Sequence, residues 1–81
     1  MKITIGIPAY NEEKNIAGII SKLKKHVDLI IVCDDGSNDL TGDISEQLGA
    51  TVIRHSKNRG YGAAINSLFL KAKELESDVF L

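Results

Sequence analysis

Two acidic side chains in succession, Asp34 and Asp35, close the apolar run Leu29-Ile30-Ile31-Val32-Cys33 and are followed by Gly36-Ser37-Asn38. Adjacent carboxylates repel each other and are costly to desolvate, so the pair needs a compensating partner: a metal ion, N–H donors or water. At the end of a buried strand such a carboxylate is suited to accept hydrogen bonds from a base N–H or a ribose hydroxyl. The same residues also make ordinary turn chemistry, with Gly36 allowing a tight turn and Ser37 or Asn38 capping the helix that follows. A second cluster, Pro8-Ala9-Tyr10-Asn11-Glu12, follows the first strand. A strand stop and a helix cap account for Pro8, Asn11 and Glu12, but not for Tyr10, which offers an apolar ring and a hydroxyl. A third, Asn58-Arg59-Gly60-Tyr61-Gly62, partly matches a dinucleotide phosphate loop. Ile65 stands where that loop needs its third glycine, and the stretch follows the third strand rather than the first, so a dinucleotide-dependent oxidoreductase is disfavoured. Its plain reading is a flexible start to a helix, with Ala63 and Ala64 packing near a sheet and Arg59 able to reach an anionic or carbonyl group. His26 and His55 lie far apart and have no evident partner, so both read as surface or strand-end residues. Cys33 reads as a buried strand residue bordering Asp34.

The elements that must position these clusters follow from periodicity. Lys2 to Ile7 alternates, with Ile3, Ile5 and Ile7 on one face and Thr4 and Gly6 on the other, a strand that Pro8 is expected to stop. A first helix is expected over about Glu12 to Lys25, capped by Asn11, with Ile16, Ile19, Ile20 and Leu23 as its apolar stripe. The continuous run Leu29 to Cys33 suits a strand covered on both faces, as in a parallel sheet. A second helix over about Leu40 to Leu48 presents Leu40, Ile44 and Leu48 and stops at Gly49. Thr51 to Arg54 is a short third strand and Ser56 to Tyr61 a loop. A third helix carries Ile65, Leu68, Phe69, Ala72 and Leu75 on one face, and a fourth strand begins at Asp78 and runs to Leu81. The order β-α-β-α-β-α-β specifies an α/β fold, a parallel sheet with right-handed crossovers and helices on both faces. Ligands of such sheets bind beyond the carboxyl ends of the strands, where the first two clusters fall.

Composition sets bounds. The 81 residues allow one small domain, 43% hydrophobic and 26% charged, as expected of a globular chain. Ten basic against eleven acidic residues give a formal charge of -1, which does not support a general nucleic-acid or anionic-membrane footprint. Cys33 is the only cysteine, so no internal disulfide or cysteine-rich zinc site can form. No apolar stretch approaches the roughly 20 residues of a membrane span. A strand ending at Leu81 has no loop at its functional end, which reads as part of a longer protein. Apolar surface at such a sheet edge is a candidate for homo-oligomer formation.

Together, Ile7-Pro8-Ala9-Tyr10-Asn11-Glu12, then Val32-Cys33-Asp34-Asp35-Gly36-Ser37-Asn38-Asp39, then Asn58-Arg59-Gly60 with Ala63-Ala64-Ile65-Asn66, resemble family 2 glycosyltransferases, and within them the dolichol-phosphate mannose synthase-like enzymes. The resemblance spans nearly the whole chain. It implies residues 1–81 as the N-terminal nucleotide-binding part of a Rossmann-like GT-A nucleotide-diphospho-sugar transferase fold. It further implies an inverting transfer from a nucleotide-diphospho-sugar to a polyprenyl-phosphate or glycan acceptor. By the same resemblance Pro8, Ala9, Tyr10 and Glu12 match the first nucleotide-contacting loop, Asp35 the carboxylate that recognises the base, and Cys33 a neighbouring contact. Asp34 supports the loop or approaches the ribose, and Arg59 and Gly60 border the nucleotide. The family's Mg2+ or Mn2+ neutralises the diphosphate, but its Asp-x-Asp follows the fourth strand, so metal ligands, catalytic base and acceptor site are expected outside this chain. A cytoplasmic location is implied, with membrane association through regions outside these 81 residues. The alternative is a non-catalytic α/β binding or regulatory module that uses the acid pair as an acidic pocket.

Overall fold

The computed structural model describes residues 3–75 and 78–80; Lys2 and Leu81, assigned above to the outer ends of the first and last strands, lie outside them. The described strands are β1 (Ile3–Ala9), β2 (Leu29–Asp34), β3 (Thr51–Arg54) and β4 (Asp78–Phe80), and the helices α1 (Ile16–Leu23), α2 (Thr41–Gln47) and α3 (Tyr61–Glu74) alternate with them. They build one parallel sheet in the order β3-β2-β1-β4. From β1 the chain steps one way to β2 and β3, then crosses back to β4 at the far side of β1. Right-handed crossovers taken in one direction place their helices on one face, and a reversal places the next helix on the other. The packing follows this rule. Ile16 and Ile20 of α1, with Ile44 and Leu48 around α2, meet Ile30 and Val32 on one face. Ala64, Leu68 and Ala72 of α3 meet Ile31 and Cys33 on the other. The run Leu29 to Cys33 is apolar throughout because β2 is covered twice.

The differences from the periodicity reading have local causes. Pro8 does not stop the ladder, since Pro8 pairs with Cys33 and Ala9 with Asp34. The Ala9 carbonyl accepts the Asp35 N–H at 2.8 Å on the β2 side. The Pro8 nitrogen therefore faces away from β2, toward the side where, among the described residues, β4 pairs with Ile3 to Ile5, and its missing N–H costs no ladder bond to those residues. Helix α1 begins at Ile16 rather than Glu12 because Asn11 takes a positive φ of 52° and residues 12–15 are spent in a turn. Asn11 is consequently not its cap. Ile19 and Leu40 are exposed although they sit in the expected stripes; Ile44 and Leu48 pack on the core as expected, and the fully buried residues of α2 are Thr41, Gly42 and Ser45. Gly42 lets α2 lie against the sheet end: a Cβ there would fall 2.5 Å from the Arg54 Nη1 and 2.6 Å from the Asp34 Oδ2. Gly49, at φ 92°, ends α2 as its position suggested.

Helix α3 buries the narrow row Ala64, Leu68, Ala72, while Phe69 is 50% exposed. Ile65 and Leu75 of the expected stripe pack partly buried against the same cluster, so within that stripe it is Phe69 that is turned outward. Replacing the fully buried Leu68 by Ala is expected to cost about 2–4 kcal/mol. Phe69→Ala is expected to cost less than about 1 kcal/mol. Urea denaturation of the two variants checks this, and equal losses would contradict the packing.

Candidate functional site

The first two loops at the carboxyl edge are stitched together before any ligand is considered. Asn11 donates its N–H to the Ser37 Oγ at 2.8 Å and accepts the Asn38 N–H on its Oδ1 at 2.8 Å. Glu12 donates its N–H to the Thr41 Oγ1 at 2.8 Å, Glu13 its N–H to the Asp39 Oδ2 at 3.2 Å, and the Leu40 N–H returns to the Glu13 Oε2 at 3.1 Å. Asp39 also accepts the Thr41 N–H at 2.9 Å and the Thr41 hydroxyl. Burial raises the Asp39 pKa, but the bonds from Thr41 and Glu13 outweigh it and hold the carboxyl below its ordinary value. Asn11, Ser37, Asn38 and Asp39 are thus occupied in joining loop to loop.

Strand alternation separates the acid pair. Asp34 turns toward α2, and its Oδ1 accepts the Ser37 N–H at 3.1 Å, closing the turn in which Gly36 sits at φ 76°. Asp35 turns the other way, toward the start of α3. Its Oδ1 accepts the His55 Nδ1–H at 2.7 Å and the Arg59 N–H at 2.9 Å, and its Oδ2 accepts the Gly60 N–H at 2.9 Å. The Asp35 and His55 side chains are each only 6% exposed. The bond from His55, then that from the Arg59 N–H, lower the Asp35 pKa against the opposing effect of burial, with Gly60 adding to them. The pair is compensated by N–H donors, one carboxylate on each face, and the joint acidic pocket needed by the non-catalytic alternative does not form.

Gly36 and Gly60 make this geometry possible. A Cβ on Gly36 would lie 2.3 Å from the Lys57 carbonyl carbon and 2.4 Å from the Asn58 nitrogen, so the second loop carries the third directly on its backbone. Gly60, at φ 97° and ψ 166°, caps α3 in a region essentially reserved for glycine. That conformation aims its N–H at Asp35.

Between these loops lies a cleft of about 330 Å3 lined by Pro8, Ala9, Tyr10, Asp35, Asn58, Gly60, Tyr61 and Ala64. Tyr10 and Tyr61 are 44% and 72% exposed, so both rings have free surface. Of the residues singled out from sequence, Pro8, Ala9, Tyr10, Asp35 and Gly60 meet here. Four do not line the cleft. Glu12 bonds the Asn15 side chain at 3.3 Å within the first loop. Cys33 is buried under α3. Asp34 is turned to the opposite face. Arg59 contributes its backbone N–H while the residue is exposed. Sequence reasoning missed Tyr61, Asn58 and Ala64 as lining residues, although the run from Asn58 was noted.

The largest correction concerns His55. It is not a partnerless surface residue: its ring is enclosed, with Nδ1 on Asp35 and Nε2 2.9 Å from the Ser67 Oγ and 3.6 Å from the Cys33 Sγ. An ionised carboxylate only accepts, so Nδ1 carries the proton. The available signal was the position of His55 one residue beyond β3, beside β2, where its N–H donates to the Asp34 carbonyl at 2.9 Å. Among the described residues no group of three or more His, Cys, Asp or Glu side chains could hold a metal ion. With Asp34 and Asp35 committed to N–H donors, the residues present do not fit a divalent cation.

Two expectations follow. A lowered Asp35 pKa means stability that is present above the ordinary carboxyl value of 3.8 and lost as pH falls through the depressed folded value. Urea midpoints measured between about pH 5 and pH 2 are therefore expected to fall, and Asp35→Asn to fall less steeply over that window. Burial, then the Asp35 and Asp34 charges, push the Cys33 thiol up to about 11 against the lowering effect of Arg59. The thiol should resist a disulfide reagent in the native protein at neutral pH and react promptly once unfolded; rapid native labelling would contradict its placement.

Comparison with known proteins adds to this geometry. The family model described as Glycosyl transferase family 2 matches residues 4–74. A UDP-N-acetylglucosamine--dolichyl-phosphate N-acetylglucosaminyltransferase of Methanococcus voltae is 36% identical, over 90% of this chain and 36% of its own length. A dolichol-phosphate mannosyltransferase of Pyrococcus furiosus is 33% identical, over all of this chain and 24% of its own. Among solved structures, glucosyl-3-phosphoglycerate synthase of Mycobacterium tuberculosis, in complex with Mn2+, UDP and glucosyl-3-phosphoglycerate, superposes with a TM-score of 0.69 and 31% identity over 79% of this chain and 27% of its own. The chain thus spans between 24% and 36% of the lengths of these three proteins.

Proposed function

The chain belongs to glycosyl transferase family 2, and on that footing we propose that it supplies the donor-nucleotide part of an enzyme that transfers a sugar from a nucleotide-diphospho-sugar. The observation that carries the reading is the convergence of Tyr10, just past β1, and Asp35, just past β2, on one cleft closed by Gly60, the cap of α3, and Tyr61, its first residue. That cleft opens at the carboxyl edge where the strand order reverses, the usual place for a ligand in an open α/β sheet. Tyr10 and Tyr61 would pack against the base and ribose, Asp35 would accept a base N–H, and Pro8 and Ala9 form the floor. The finer points belong to the same proposal. Polyprenyl phosphate as acceptor is supported by the dolichyl-phosphate named in two relatives. A divalent cation is supported by the Mn2+ of the mycobacterial enzyme, and its ligands would lie outside the residues described. The reacting sugar and acceptor would be held by parts of the enzyme beyond this half-site.

Calorimetric titration with UDP and GDP tests the reading. At least one nucleotide is expected to bind the wild type. Asp35→Ala is expected to weaken that binding on the order of tenfold or more, because a base N–H would then lose its charged acceptor. Unchanged affinity for every nucleotide in that variant would remove Asp35 from base recognition.

A further inference from the structure

The acceptor capacity of Asp35 is nearly used up by the protein itself. A carboxylate offers about four acceptor positions, two on each oxygen. Both positions on Oδ1 are taken, by the His55 Nδ1–H at 2.7 Å and the Arg59 N–H at 2.9 Å, and one on Oδ2 is taken by the Gly60 N–H at 2.9 Å. One position remains, on Oδ2. The donors are not free to turn aside. Arg59 and Gly60 give backbone N–H groups at the start of α3, and the enclosed His55 ring is braced from behind by the Ser67 Oγ at 2.9 Å from Nε2.

The bases differ in what they bring to such an acceptor. Uracil presents one imide N–H between two carbonyls. Guanine presents a fork, its ring N–H beside an exocyclic amine, which needs both oxygens of a carboxylate. Cytosine sets a ring-nitrogen lone pair against the negative charge. We infer that His55, braced by Ser67, is a positioning residue that fills the Oδ1 side of Asp35 and so restricts the site to a donor whose base offers a single N–H, uracil in preference to guanine. This rests on the nucleotide reading above and adds the base class to it. It also gives His55 a role that no contact with the ligand requires.

The test is calorimetry of the protein with UDP, CDP and GDP, on the wild type and on His55→Leu, His55→Asn and Ser67→Ala. The wild type is expected to prefer UDP over GDP by about tenfold or more, because the second guanine donor would be buried without a partner. CDP is expected to bind more weakly than UDP. His55→Leu frees one of the two Oδ1 positions while the Arg59 N–H keeps the other, so a second base donor gains an acceptor and the UDP-to-GDP ratio should fall toward one. His55→Asn, whose amide can return an N–H to that oxygen, should restore the ratio. A purely structural role for His55 would weaken all nucleotides together and leave the ratio unmoved, and that result would overturn the assignment. If His55→Leu does not fold, Ser67→Ala carries the test, with a reduced ratio expected and an unchanged one counting against the brace. GDP binding as tightly as UDP to the wild type would overturn the base restriction while leaving the nucleotide reading intact. A folded wild type that binds none of the three would overturn the nucleotide reading itself.

Discussion

The carboxylate of Asp35 is the point on which the carboxyl edge of this sheet is assembled. It stands one residue past β2, receives the N–H groups of Arg59 in the third loop and of Gly60, the residue that caps α3, and is gripped by a buried imidazole. Each of these donors would otherwise be an orphan near the end of a helix or strand, and each would be costly to leave unpaired. The negative charge also sits at the positive end of α3, where the helix dipole favours it. One side chain therefore fixes the distance between β2 and α3 and with it the width of the cleft.

Around that anchor the fold works by dividing tasks between adjacent residues. The two-residue period of a strand sends Asp34 to the α2 side, where it closes a turn, and Asp35 to the α3 side, where it organises a ligand-sized space. The switch in strand order at β1 puts α3 on its own face, so the space between the first loop and α3 is left open while the space above α2 is filled by the stitched loops.

Much of this was legible in the residues. The strand and helix order, the doubly covered β2, the stop at Gly49 and the convergence of Tyr10 with Asp35 all follow from periodicity and from the rule that parallel sheets use their carboxyl ends. What escaped has a common cause: it depends on tertiary neighbours. Pro8 stays in the ladder because of which side its nitrogen faces. Asn11 looks like a cap, but it bridges two loops because the second loop presents Ser37 and Asn38 to it. Leu40 and Phe69 fit a helical stripe, yet the helices bury Thr41, Gly42 and Ser45 and the row Ala64, Leu68, Ala72, and leave those larger groups exposed. His55 lies 20 residues from Asp35 in sequence, and no local pattern marks a histidine as buried when its partner is supplied by the neighbouring strand. Cys33, Asp34, Glu12 and Arg59 sit in motif positions, but their side chains serve the frame around the cleft, or solvent, rather than its lining.

The lacing of the first two loops has a consequence for how Tyr10 meets a ligand. Its neighbour Asn11 is held at an unusual positive φ by bonds to Ser37 and Asn38, and Ala9 before it is bound to the N–H of Asp35. The backbone on either side of the ring is therefore immobilised when the chain folds, leaving only two side-chain torsions to settle when a partner arrives. Preorganisation of this kind shifts the entropic cost of ordering an aromatic wall from association to folding. The aromatic wall is thus set in the folded chain before any partner reaches it.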